Sequence, residues 1–138
     1  MPINQISVFL PNRPGQLANF FEVLMDNKIY IRSLTVAETE DYGLLLLLVD
    51  EFDQCISLLE EKDHLYSITE VVAVRLSDNI AGLYEVAKTL GENEINIDYL
   101  YTSLIDEKPL VILRLSDNQN GTEILKKNGF IVLDDLVR

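Results

Sequence analysis

Asn12-Arg13-Pro14-Gly15-Gln16-Leu17 is the stretch best suited to hold a small ligand. Pro14 and Gly15 break an alternating run, and Leu17, Phe20, Phe21 and Leu24 follow at i, i+3, i+4, i+7, one apolar face of a helix. The start of such a helix offers unspent N–H groups and the positive end of a dipole, which suits a carboxylate. Gly15 lets backbone approach a ligand closely, and the Asn12 carbonyl can accept from an ammonium. A plain turn with Asn12 in a helix cap has the same residues.

The other chemistry-bearing residues point away from catalysis. His64 is the one histidine, at a helix end where its charge would meet the helix dipole favourably. Cys55 is the one cysteine, beside the Phe52/Ile56/Leu59 stripe, so it reads as core. Neither has a companion at metal-ligand spacing, so neither a metal site nor a cofactor is expected. Glu60-Glu61 and Asp134-Asp135 are adjacent pairs with nothing implying the burial that separates two carboxylate pKa values. Ser7, Ser33 and Ser77 have no activating base. No catalytic residue is expected.

These residues are embedded in a repeat. Displaced by 66 positions, the 138-residue chain matches itself without a gap. Val8 meets Val74, Leu24 meets Leu90, Asn27 meets Asn93, Ile29 meets Ile95, Ile31 meets Ile97 and Leu59 meets Leu125. One supersecondary unit is used twice. Each copy reads strand, loop, helix, strand, strand, helix, strand. Ile6, Val8 and Leu10 alternate; Ile29 and Ile31 alternate and then change register before Leu34, which predicts a bulge. In the second copy Asp78 to Gly82 reads as the loop, and Leu83, Val86, Ala87 and Leu90 as the helical face. No breaker interrupts Ser67 to Leu76, so the last strand of the first copy should run into the first strand of the second. The expected fold is α+β: two βαββαβ units, residues 1–66 and 67–138, with antiparallel sheets, helices on one face, and eight strands in a side-by-side pair.

The run from Ser7 to Leu17, followed by Asn27-Lys28-Ile29-Tyr30-Ile31, resembles the ACT domain, and the resemblance covers nearly the whole chain twice. It implies ferredoxin-like units that bind a free amino acid between them and regulate another activity. The family commonly uses the residue that starts the loop and an asparagine early in the second strand of the partner unit. The first copy keeps the loop but has Tyr30 at the strand position. The second has Asn96 there, yet its loop reads Asp78-Asn79-Ile80-Ala81-Gly82, with the glycine displaced by one. The resemblance therefore implies one good site, from Asn12, Arg13, Pro14, Gly15, Gln16 and Leu17 with Asn96, Ile97 and Asp98. A weaker one would join Asp78, Asn79, Ala81, Gly82 and Leu83 to Tyr30.

Charge bounds the partners. A formal net charge of −12 repels nucleic-acid phosphates and anionic lipid. Tyr99 and Tyr101 raise an RNA-stacking reading, but the basic residues it needs are missing and a packed cross-strand cluster is preferred. Arg13 would serve acylphosphatase-like chemistry on this fold, in acidic surroundings that disfavour it. No apolar run is long enough for a membrane span and the N-terminus lacks a signal pattern, so a cytoplasmic protein is expected. Leu44 to Val49 is apolar throughout. Regular alternation leaves Phe9, Tyr30, Leu44, Leu46 and Leu48 away from the helices, with Val8 and Ile31 toward them. That exposed patch predicts a homodimer or higher oligomer, unless the tail from Asp134 to Arg138 covers it. A non-enzymatic amino-acid sensor is expected, and the rival is an interaction module with a decayed site.

Overall fold

The computed structural model describes residues 3–38, 42–77 and 79–134. The fold is α+β, a tandem of ferredoxin-like units. The elements run β1 (Ile3–Pro11), α1 (Gln16–Asp26), β2 (Ile31–Glu38), β3 (Tyr42–Val49), α2 (Phe52–Glu61), β4 (Leu65–Arg75), α3 (Asn79–Glu92), β5 (Ile97–Ile105), β6 (Lys108–Leu115), α4 (Asn118–Lys127) and β7 (Val132–Leu133). Seven strands are present among the described residues where eight were expected. The unbroken run through Ser67 to Leu76 makes a single strand, β4, in place of two. The chain divides into two compact units, Asn4–Thr69 and Glu70–Arg138, the second joined by Ile3.

In the N-terminal unit β3 lies between β2 and β1, antiparallel to both. Ile6 faces Leu47 and Val8 faces Leu45 across the ladder, and all four enter one core with Phe20, Leu24, Cys55 and Leu59 from the helices. The bulge falls where the register change placed it, between Ile31 and Ser33. The C-terminal unit repeats the arrangement: β6 lies between β5 and β4, and β7 pairs with β4. Its bulge falls between Ile97 and Tyr99, 66 positions on. Val72, Val74, Val111 and Leu113 meet Val86, Leu90 and Leu125 in a second core. The β5–β6 turn places Asp106 (φ 53°) and Glu107 (φ 63°) in the left-handed region, as a two-residue hairpin with right-handed strand twist requires.

All four helices end alike. Ile29, His64, Ile95 and Phe130 donate N–H to the carbonyls of Leu24, Leu59, Leu90 and Leu125 at 2.9–3.0 Å. The residues just before them, Lys28, Asp63, Glu94 and Gly129, are left-handed. This closing motif spends two orphan carbonyls and sets a leucine against the residue that starts the exit. Asn27, Asn93 and Asn128 add a side-chain bond back to the helix, each at 2.8 Å. The asparagine match in the repeat is thus a helix end.

The expected apolar patch is not bare. Of Phe9, Tyr30, Leu44, Leu46 and Leu48, only Tyr30 is exposed; Leu48 is buried and the others are half-buried. On that same side of β1, Gln5 and Ser7 are buried too. Strand alternation assigned the sides correctly, but burial away from the helices is not visible in alternation. Exposed apolar groups occur as well on the helix side of the outer strand, at Ile31, Leu34 and Val36 of β2.

Candidate ligand-binding loop and strand

Arg13-Pro14-Gly15-Gln16 forms a type II turn. Gly15 has φ 86°, ψ −16°, and the Gln16 N–H donates to the Arg13 carbonyl at 3.2 Å. Proline presets the first central position and glycine alone takes the second without strain, which is why this pair stands here. Gly15 is also the residue that caps α1. It brings no side-chain acceptor, and the first turn of α1 contains no acidic residue. By contrast α4 is capped by Asp117, whose carboxylate accepts from the Asn120 N–H at 3.0 Å. Apart from the Gln16 N–H, which closes the turn, the start of α1 therefore offers its first-turn donors and its positive dipole end to an external anion. No atom lies within 4 Å of where a Gly15 Cβ would stand, so the approach is open. Asn12, Arg13, Pro14 and Leu17 are exposed and Gln16 is half-buried.

The strand half belongs to the C-terminal unit. Asn96 precedes β5 and is held at both backbone groups by Ser116: its N–H donates to Ser116 Oγ and its carbonyl accepts from the Ser116 N–H, both at 2.9 Å. Its amide Nδ2 donates to Asp98 Oδ1 at 3.0 Å. Asp98 is the bulge residue, and its other oxygen lies 3.9 Å from Arg114 Nε. Ile97 packs against the core, which fixes the strand start from below. The structure thus links Asn96 and Asp98 directly. Ser116 and Arg114 are members that sequence reasoning missed. The available signal was the repeat, since Ser116 answers Asp50, which pairs with the other bulge residue, Arg32.

The second set departs from expectation. Asp78 lies outside the described residues. Asn79, Ala81 and Gly82 belong to α3 and not to a loop, while Leu83 lies on that helix as expected. Without a Pro-Gly pair, Ile80 and Ala81 continue the helix to its start one turn earlier. Gly82 is buried, and a Cβ there would meet Leu76 Cδ2 at 3.3 Å, so this glycine serves helix-on-strand packing. Ala81 and Gly82 do line a cleft of about 450 Å³ with Ser77, Glu85 and Phe130. Tyr30 is exposed, and its carbonyl accepts from the Asp50 N–H at 3.2 Å. A further cleft of about 370 Å³, lined by Glu70, Asn118, Thr122, Lys126 and Val132, contains none of the expected site residues.

The remaining titratable groups lie in structural settings. Burial lowers the pKa of His64, whose ring meets Phe20 edge-on at 5.2 Å; a packed ring replaces the expected helix-dipole role. Cys55 is fully buried and its thiol is pushed up to about 11. Burial, with Tyr99 adding to it, raises the Tyr101 phenol, as a packed cluster would. Among the described residues, no group of His, Cys, Asp and Glu could hold a metal ion, and no helix is long and apolar enough to cross a membrane.

The family model for an ACT domain pair matches residues 1–138. The chain belongs to that family. Among solved structures, this ACT domain pair is similar to protein BT0572 from Bacteroides thetaiotaomicron, with TM-score 0.90 and 28% identity over 96% of this chain and 92% of that one. It also shares its fold with the regulatory subunit of aspartate kinase from Thermus thermophilus, ligand-free, with TM-score 0.66 and 16% identity over 94% of each chain. The corresponding Thermus flavus subunit gives TM-score 0.62 and 14% identity over 92% of each. No curated protein matches the chain.

Proposed function

We propose that this ACT domain pair is a non-enzymatic sensor of a free amino acid that regulates a partner protein. The observation that carries the proposal is the start of α1, a helix opened by a glycine with no side-chain cap and clear space above it. The α-carboxylate of the ligand is received by the Gly15 and Leu17 N–H groups, the Gln16 N–H being held by the Arg13 carbonyl, with Arg13 adding positive charge. The α-ammonium is accepted by the Asn12 carbonyl and by the side-chain oxygen of Asn96, whose amide nitrogen donates one of its two hydrogens to Asp98. In this reading the ligand joins the Asn12 loop to the Asn96 strand. The set of Asp78, Asn79, Ala81, Gly82, Leu83 and Tyr30 binds more weakly, because Gly82 is committed to packing against Leu76. The protein acts in the cytoplasm, and ligand binding changes its assembly or its contacts with the regulated protein.

The rival reading is an interaction module with a decayed site. A thermal-shift screen of the free amino acids and of acyl phosphates separates the readings. A shift with one amino acid, abolished in Asn12→Ala, supports the sensor. Silence supports the interaction module, and acyl-phosphate hydrolysis would identify an enzyme. Calorimetry then counts sites: a stoichiometry near one per chain is expected, and two would reject the unequal pair.

A further inference from the structure

The two copies of the repeat differ along one side of their second helix. In the first copy Phe52 and Ile56 of α2 and Tyr66 of β4 pack against the core. The Tyr66 hydroxyl donates to Glu60 Oε2 at 2.8 Å and ties the strand to the helix. Displaced by 66 positions, these four residues are answered by Asn118, Thr122 and Lys126 of α4 and by Val132 of β7. Phenyl and isoleucine side chains are matched by shorter polar ones, a ring by an isopropyl group, and the hydroxyl of the tie has no counterpart. All four replacements line the cleft of about 370 Å³ beside α4. Asn118 does not refill it: its Oδ1 accepts from the Leu115 N–H at 3.0 Å and its Nδ2 donates to the Glu70 carbonyl at 2.8 Å. Val71 and Val72 of the lining are buried, and Val132 and Leu133 are half-buried. A concave site of this size, with apolar lining and a few polar groups, is the usual form of a small-ligand pocket.

We propose that this cleft binds a small hydrophobic amine, a branched aliphatic or aromatic body carrying one ammonium group. The body takes the place that the Phe52 and Ile56 side chains hold in the first unit. The ammonium stays at the mouth, where the exposed residues Glu70, Glu123 and Asp134 outnumber the one cation, Lys126. The Thr122 hydroxyl can also accept from it. The same body with a carboxylate head would meet this excess of negative charge, in a chain of net charge −12. An inorganic cation would leave the apolar lining in water. The cleft shares no residue with the Asn12 loop or the Asn96 strand, so the inference is independent of the amino-acid reading.

Amide and methyl NMR of the full chain tests the site, with isoamylamine and phenethylamine as ligands and isovalerate as a carboxylate of matched body. The amines should shift the signals of Val71, Thr122, Val132 and Leu133 saturably, and isovalerate should not. Thr122→Ile restores the side chain of the first unit and should abolish these shifts. Thermal unfolding checks that this variant folds. Glu123→Gln alters only an exposed side chain and should weaken amine binding about threefold, the scale of one exposed ion pair. It keeps the test decisive if Thr122→Ile does not fold. No saturable shift with either amine, equal binding of isovalerate, or amine affinity unchanged in Thr122→Ile or in Glu123→Gln would overturn the proposal.

Discussion

The Asn96 side-chain amide donates to the Asp98 carboxylate at 3.0 Å, two residues along and across the bulge that opens β5. The contact fixes which way the Asn96 amide faces, so its oxygen is presented as an acceptor. Asp98→Ala should release that orientation. Amino-acid affinity should fall about tenfold, and by more in Asn96→Ala, where a hydrogen bond to a charged group worth roughly 1.5–3 kcal/mol is lost. Calorimetry on both variants decides; unchanged affinity in Asn96→Ala would remove this residue from the site.

Gly15 is the residue whose replacement should be least tolerated by binding. A side chain at φ 86° costs roughly 1–2 kcal/mol and places a Cβ in the open space above the helix start. Gly15→Ala should therefore lower the unfolding free energy by about that amount and weaken ligand binding as well. Denaturant titration and calorimetry on one preparation separate the two effects. A binding loss with no stability loss would mean the turn tolerates the substitution.

Three of the four helix exits hold a left-handed residue that is not glycine: Lys28, Asp63 and Glu94. The fourth, Gly129, shows what the motif accepts without strain. Glu94→Gly and Lys28→Gly should each raise the unfolding free energy by up to about 1 kcal/mol, offset in part by the greater freedom of glycine in the unfolded chain. Chemical denaturation measures this directly, and a loss of stability in both variants would contradict the strain argument.

His64 is kept neutral by burial, its pKa below the ordinary 6.5. As pH falls through that value the unfolded chain takes up a proton that the folded chain does not. Stability from this residue is therefore present at neutral pH and declines as pH drops below about 6.5. Phe130 fills the same position in the second unit, so His64→Phe should keep the ring contact with Phe20 and remove this part of the decline. Unfolding curves between neutrality and the onset of carboxylate titration test it; equal slopes for both proteins would show that another group is responsible.

With its thiol raised to about 11 and no exposed surface, Cys55 should resist alkylation in the native state. Mass spectrometry should find it modified only when denaturant is added. Rapid labelling of native protein would mean that α2 opens locally.

The fold was legible because the duplication gave every element a second appearance. The bulges, the long β4 and both helical faces follow from periodicity and from the absence of breakers. The loop of Asn12 to Leu17 was legible because proline and glycine dictate a turn type by sterics. The Ser116 contact with Asn96 was not, since it depends on a ladder register between residues 20 positions apart, and the Asp98 contact was not, since it spans the bulge between Ile97 and Tyr99. Nor was the early start of α3, where Ile80 and Ala81 extend a helix that the first unit's Pro-Gly forbids. The burial of Leu48 and Gln5 was hidden for another reason: alternation names the side of a sheet a residue takes, and says nothing of what lies over that side.

β4 runs unbroken for 11 residues through the border between Thr69 and Glu70. A duplicated gene joined in this way has no hinge peptide at its seam. A protease that cuts exposed connectors should leave this seam intact, and neither half can be subcloned without severing a strand. Losing one copy would therefore strip the other of part of its own framework.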